Sequence, residues 1–290
     1  MDIILKKVAF ITDSGSGKSI AEIEALGCYS VPLQLMADKD SYKEFETISY
    51  DKVYEILGEN KVMTTSLPAI ADIEQLFSQL KEKGYTDIFA VPICSGLSGT
   101  INAMYTAANS LELGFDYFDS GTTAVIQLYL LKLAKSLHEK GIDFPQIKEK
   151  LMEVVDHANT VLIPDDLMHL ARGGRLSSTS AVIGNLIKIK PVLEVNLKTK
   201  GRIEVLQKLR TFKRAFQYVI DEMAEEIKDA SDHYHIVVAH VDAVEKGQDV
   251  LATLKAKFPQ ATTEFIDLVP TVSCHTGLGC IALQYFKKVD

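Results

Sequence analysis

The sequence predicts an α/β protein of two domains. The first (residues 1–162) is expected to carry a parallel sheet, and the second (residues 163–290) a mixed or antiparallel one. Three observations lead there. The chain has 290 residues, and roughly 150 per domain gives about two. In the first half, an apolar strand, a polar Ser/Gly turn and a helix follow one another three times, the grammar of an open parallel sheet. In the second half, two strand-like runs flank a short Lys/Gly-containing loop and read as a hairpin.

The elements follow in order. Val8-Ala9-Phe10-Ile11 is a short apolar run ending in Thr12-Asp13-Ser14-Gly15, and a helix is expected through Leu26 and Gly27. A buried strand at 87–93 runs into Cys94-Ser95-Gly96-Leu97-Ser98-Gly99. Phe115-Asp116-Tyr117-Phe118 leads to Asp119-Ser120-Gly121 and a long apolar helix from 122 to about 140. In such sheets the ligand lies beyond the carboxyl ends of the strands, where these polar turns gather. Farther on, 160–164 reads as a strand, Asp165 or Asp166 caps the segment after it, and Ala171-Arg172-Gly173-Gly174-Arg175 reads as a turn. Runs at 191–195 and 202–206 form the hairpin around Lys198-Thr199-Lys200-Gly201. Phe212, Ala215, Phe216, Val219, Ile220 and Met223 share one helical face, a core stripe rather than a cofactor box. The domain boundary falls near residues 160 to 165, and no internal repeat or low-complexity segment is visible.

Composition narrows the function. Apolar residues at 47% and charged residues at 24% exclude a disordered chain. A net charge of −8 argues against coating nucleic acid through overall charge. No apolar run reaches the roughly 18 residues of a membrane span. Met1 to Ser14 shows no secretory leader pattern, so a cytoplasmic location is expected. Cys28, Cys94, Cys274 and Cys280 lack any C-x-x-C spacing and read as buried thiols, neither disulfides nor zinc ligands. His233, His235 and His240 lie in and beside an apolar strand-like run, and no metal is expected there. The charge is unevenly placed. From Arg172 to Arg214 eleven Lys/Arg, Lys188 among them, face two Glu, a net +9 that leaves −17 for the rest. That segment is either a solvated hairpin or a basic face for a phosphate, an acidic protein or a membrane surface.

Several motifs fall short. Gly15-Ser16-Gly17-Lys18-Ser19 has Thr12 where a P-loop needs glycine. Ser95 to Thr100 lacks the last glycine of a nucleophile elbow. No dinucleotide fingerprint follows the first strand. What remains is a set of hydroxyls and backbone donors. Thr64, Thr65 and Ser66 precede a helix, Ser95 and Ser98 sit on a glycine turn, and His275 stands before another helix start. Gathered together, they would cradle a carboxylate or phosphate.

These residues resemble the DegV family of bacterial fatty-acid-binding proteins along nearly the whole chain. The resemblance rests on Thr12-Asp13-Ser14, Thr65-Ser66-Leu67-Pro68, Ser95-Gly96-Leu97-Ser98-Gly99-Thr100 and Asp119-Ser120. It continues through Leu170-Ala171-Arg172-Gly173-Gly174-Arg175, Lys188-Ile189-Lys190-Pro191, Arg210-Thr211 and His275-Thr276-Gly277-Leu278-Gly279. The family pattern differs at Leu67 (glutamine), Cys94 (serine) and Leu278 (commonly proline), and its first loop often has a second aspartate.

The resemblance implies two α/β domains holding one long-chain fatty acid in a tunnel between them. It implies that Thr65, Ser95, Gly96 and His275 bind the carboxylate. Asp13, Ser14, Thr64, Ser66, Ser98, Gly99, Asp119, Ser120 and Gly277 would form the supporting loops. The partner would be a fatty-acid kinase that makes an acyl phosphate, docked at Arg172 and Arg175, and the basic segment would also make transient contact with a membrane surface. Neither cofactor nor catalytic residue is implied. Burying about 14 methylenes supplies a gross ~11 kcal/mol before ordering costs, so the head group needs only enough donors to leave no carboxylate oxygen unpaired. Two other classes compete: a serine-type lipid ester hydrolase with Ser95, His275 and Asp13 as a triad, and a regulatory binder of a different small ligand.

Overall fold

In the computed structural model, which describes residues 7–176, 189–228 and 230–289, the three strand–turn–helix units share one sheet. Tyr29–Val31, Val8–Asp13, Asp87–Ala90 and Gly114–Tyr117 lie in that order, all parallel. Helices Ile70–Glu82 and Thr100–Ser110 cover one face through Ile73, Phe77, Leu80 and Met104. Helices Ala124–Glu139 and Phe144–Val155 cover the other through Ile126, Leu130, Ile147 and Leu151. Both faces are sealed, which is why these strands read as continuous apolar runs. The predicted strand at 87–93 stops at Ala90. Pro92 has no N–H to give, and Ile93 N–H turns to the Asp13 carboxylate.

The second half forms a six-stranded sheet in the order Glu204–Leu209, Lys190–Val195, Ala158–Ile163, Ile281–Lys287, Tyr234–His240, Thr262–Asp267. All its pairs are antiparallel except the last. The hairpin is present with its second strand shifted to Glu204–Leu209, and a register break lies between Val205 and Gln207. A division after residue 162 cuts strand Ala158–Ile163, whose pairing with Ile281–Lys287 places it wholly in the second sheet. Helices Phe212–Ile227 and Val244–Lys257 cover one face of this sheet. The turn expected at 171–175 is preceded by a short helix, Met168–Arg172, that ends at Gly173 and Gly174.

A third sheet was not legible in the sequence. Asp40–Lys43, Gln34–Ala37 and Met63–Ser66 pair antiparallel, so Thr64, Thr65 and Ser66 form a strand rather than a loop before a helix. This small sheet and helix Tyr50–Gly58 close the remaining face of the six-stranded sheet, joining Leu35, Val53 and Met63 to Leu162, Leu193 and Cys280 in one core. The two halves therefore share a hydrophobic interface.

One polar knot ties the halves beside it. On strand Ile281–Lys287, Ile281, Leu283 and Tyr285 point into the second domain's core, while Gln284 points toward the first. Its amide donates to Thr123 O (2.8 Å) and Thr160 Oγ1 (2.9 Å), and its carbonyl accepts from Val125 N (3.1 Å). Gln284 thereby caps the start of helix Ala124–Glu139. Gln284→Leu strands these groups in a buried setting at about 1–3 kcal/mol for an unpaired group. Urea denaturation should show a clearly lowered midpoint, and an unchanged midpoint would remove this role.

Candidate functional site

The polar turns at the ends of the parallel strands converge. Ser95 Oγ donates to Asp119 Oδ2 (2.5 Å), and its backbone N–H also faces that carboxylate. Gly121 N–H donates to Asp119 Oδ1 (3.2 Å), and Ser120, buried, holds Thr122 N–H. Asp13 is fully buried and accepts from Ile93 N, Gly15 N and Gln127 Nε2. Ser14, also buried, accepts from Leu33 N and donates to Glu44. Asp13, Ser14, Asp119 and Ser120 therefore brace loops and present no free group to a ligand.

Across from these turns lies the second domain. The Lys200–Gly201 turn packs so closely on Gly96 that a Cβ there would stand 2.3 Å from Gly201 C and 2.5 Å from Lys200 O. Any side chain at Gly96 would force the two loops apart. Behind this contact is a cavity of about 40 Å³. Leu33, Ile93 and Leu97 line it from the first half, and Ile203 and Val272 from the second, with Thr65, Ser66, Ser98, Arg175, Thr271 and His275 as its polar groups. That volume suits a water or two, far below the ~300 Å³ of a site for an organic ligand. Outside it is an open hollow of about 390 Å³ bordered by Ser95, Gly96, Ser98, Gly99, Arg175 and Arg202. Leu97, Ser98 and Arg175 border both spaces.

His275 is the buried polar centre. It lies in the last turn of helix Pro270–Thr276, not before a helix start. Its Nε2 is 2.8 Å from Thr65 Oγ1, and its Nδ1 has no partner among the described residues. A Cβ on Gly173 would come within 2.0 Å of Nδ1, so only glycine lets the chain pass over the ring. Burial first, and the Arg175 charge second, press the imidazole down to a pKa of about 4. The ring is neutral at pH 7. Its one proton belongs on Nε2, where Thr65 accepts it, because no acceptor faces Nδ1. Thr65 Oγ1 thus receives a hydrogen bond from His275 and keeps its own proton for something else.

The remaining expected residues divide by place. Thr64 is exposed, on the opposite side of its strand from the cavity-lining neighbour Thr65. Ser66 and Ser98 line the cavity but donate to or share hydrogen bonds with Leu67 O and Thr100. Gly99 edges the hollow, and Gly277, at φ +76°, packs against His169. Arg172 is exposed at the end of its helix, whereas Arg175 is half-buried and donates to Gly173 O. Lys188 lies outside the described residues. Glu44 was not anticipated, since nothing in Lys43-Glu44-Phe45 marks a buried carboxylate. It is 1% exposed, takes Ser14 O–H at 2.5 Å and Thr271 N–H at 2.6 Å, and burial lifts its pKa to about 7.

The competing arrangements do not assemble. Ser95 engages Asp119, His275 engages Thr65, and Asp13 engages Gln127 and backbone, so the three make no triad. In the P-loop-like segment Lys18 pairs with Glu22 and Ser19 caps helix Ile20–Ala25. A separate cleft of about 590 Å³ is lined by Lys18, Glu22, Lys132 and Glu264 together with Val125, Leu128 and Ile266, and none of the residues that resemble the family motifs for the carboxylate borders it. Among the described residues no group of three or more His, Cys, Asp or Glu is placed to hold a metal. Nor, among them, is any helix long and apolar enough to cross a membrane.

Known proteins share this architecture. The family described as "Uncharacterised protein, DegV family" matches residues 7–288. A DegV domain-containing protein of Listeria monocytogenes is 32% identical over 287 residues, covering 98% of this chain and 99% of its own. The crystal structure of a fatty acid binding DegV family protein from Streptococcus agalactiae superposes with a TM-score of 0.88 at 28% identity, covering 98% of this chain and 100% of its own. That of DegV, a fatty acid binding protein from Bacillus subtilis, gives 0.85 at 27% identity, with coverage of 98% and 100%.

The buried acids set a pH dependence. Burial raises Asp13 to about 6 and Glu44 to about 7, so both favour the folded state when protonated. Their contribution is full below the unfolded carboxylate range and is lost as pH rises through about 6 to 7. His275, depressed to about 4, acts oppositely: its contribution is present above about 6.5 and lost as pH falls through about 4. Glu44→Gln removes one falling limb. Its stability relative to the parent protein should rise by roughly 3 kcal/mol between pH 4.5 and 8. A pH series of denaturation curves with a constant difference would show that Glu44 does not titrate this way.

Proposed function

The chain belongs to the DegV family, and from that premise we propose that it binds one long-chain fatty acid between its domains and presents the carboxylate to a fatty-acid kinase. The related proteins from Streptococcus agalactiae and Bacillus subtilis are fatty acid binding proteins. The observation that carries the reading here is the Thr65–His275 pair on the wall of an apolar cavity between the two halves.

The polarity of that pair suits the head group. His275 Nε2–H donates to Thr65 Oγ1, and the Thr65 proton then points to an incoming carboxylate oxygen. A neutral imidazole adds no charge of its own beside the carboxylate. Ser95 has a different part. Its proton is held by Asp119 at the hollow, so it serves the carboxylate only when that bond is exchanged. The tail supplies the affinity, and accommodating it requires the walls to move apart. Leu33, Ile93 and Leu97 from the first half and Ile203 and Val272 from the second are the walls that would part.

The hollow suits the phosphoryl side. Arg175 and Arg202 border it together with Ser95 and the Gly96–Gly99 turn, so an acyl phosphate emerging from the cavity meets positive charge. The kinase brings the nucleotide chemistry, and this chain, in the cytoplasm, shields the acyl group. Arg172, exposed at the end of its helix, would dock the kinase's acidic surface. No geometry favours the hydrolase reading, because its triad is not formed.

Native mass spectrometry of the purified protein, with extraction of what it carries, tests the reading directly. One long-chain fatty acid per chain is expected, and Thr65→Ala should weaken its binding about tenfold or more. A protein that is empty and takes up neither palmitate nor oleate overturns the proposal. For the partner, Arg172→Ala should leave lipid affinity unchanged while slowing phosphorylation of the bound lipid by the kinase. Equal loss of both would make Arg172 a structural residue.

A further inference from the structure

The inner wall of the cavity carries a hydroxyl that the head-group site does not use. Of the polar side chains lining this space, Thr65 and His275 bond each other, Ser66 bonds Leu67 O, Ser98 bonds Thr100, and Arg175 bonds Gly173 O. Thr271 is 6% exposed, and its Oγ1 has no hydrogen-bond partner among the described residues. Leaving a buried hydroxyl unpaired is unfavourable, and a valine would fill the same wall without that penalty. Thr271 stands one helical turn before His275, about 6 Å along the helix and on the same face.

What lies behind Thr271 decides what it can bind. Its backbone N–H is held by Glu44 Oε1, and Glu44 Oε2 accepts the Ser14 proton, since Ser14 Oγ is itself occupied by Leu33 N–H. When Glu44 is ionised, both of its oxygens act as acceptors. The Thr271 hydroxyl is near enough to hold the Glu44 carboxylate down, although it lacks hydrogen-bond geometry. With an acceptor behind it, Thr271 turns its lone pairs to the cavity and its complement is a hydrogen-bond donor. The arrangement inverts that of Thr65, which has a donor behind it and offers a proton. A second carboxylate is disfavoured there by Glu44 itself.

Building on the fatty-acid reading above, we propose that the pocket selects acyl chains bearing a hydroxyl close to the carboxyl end, with Thr271 as the residue that recognises it. The ligand hydroxyl donates to Thr271 Oγ1 while its carboxylate meets Thr65. An unsubstituted chain leaves the cavity-facing lone pairs of Thr271 without a donor, which is how a site built to bond a hydroxyl discriminates.

The experiment measures dissociation constants for palmitate, β-hydroxypalmitate and ω-hydroxypalmitate on the purified full chain. The β-hydroxy acid should bind about tenfold more tightly than palmitate, and the ω-hydroxy acid should gain nothing. Thr271→Val should abolish the preference while palmitate affinity stays within about twofold, and Thr271→Ser should keep it. Equal affinities for palmitate and β-hydroxypalmitate in the unmodified protein overturn the proposal without any variant. So do a preference that survives Thr271→Val and an equal gain with the ω-hydroxy acid. A protein that binds palmitate through Thr65 with no hydroxyl preference loses this inference alone. One that binds none of the three acids loses the fatty-acid reading as well.

Discussion

The structure turns on a backbone-to-backbone contact between its two halves. Gly96 lies against the carbonyl of Gly201 with no room for a Cβ, and Gly121 likewise lies against Leu197. These contacts bring the polar turns of the parallel sheet up to the hairpin of the second sheet. The cavity, the hollow and the Thr65–His275 pair all lie around that joint. Close approach without side chains is what lets an apolar space sit directly behind a polar mouth.

Hydrogen-bond direction then gives each hydroxyl a distinct capability. Thr65 has a histidine N–H behind it and can donate forward. Ser95 has the Asp119 carboxylate behind it and is held at the hollow. Thr271 has Glu44 behind it and can accept. Three residues of similar chemistry thus differ in function because of the polarity of their supports. Two of these supports, His275 and Glu44, are buried.

Two buried acids hold the surroundings of the site together. Asp13 and Glu44 are not exposed to the site but join elements. Asp13 links the first turn to Ile93 and Gln127. Glu44 links the small sheet, the Ser14 turn and the helix that carries His275. A carboxylate accepting several short bonds organises backbone that would otherwise be unsatisfied. Such carboxylates connect pocket walls drawn from distant parts of the chain.

Much of this was legible in the residues. The strands near Val8, Asp87 and Phe115, the helix stripe from Phe212 to Met223, and the hairpin around Lys200 are local patterns of period and turn chemistry. Together they determined an α/β protein of two sheets, and the ordered motifs determined its family. The three-stranded sheet was not legible, because strands of four residues with mixed polarity show no period. His275 was misplaced relative to its helix because Pro270 starts that helix five residues earlier. Only the tertiary structure decided which hydroxyls face the cavity, that Arg175 and Thr271 border it, and that Glu44 stands behind Thr271. Those assignments depend on contacts between residues as distant as Glu44 and Thr271, and on which side of a hydroxyl its buried partner stands; local sequence carries no trace of either.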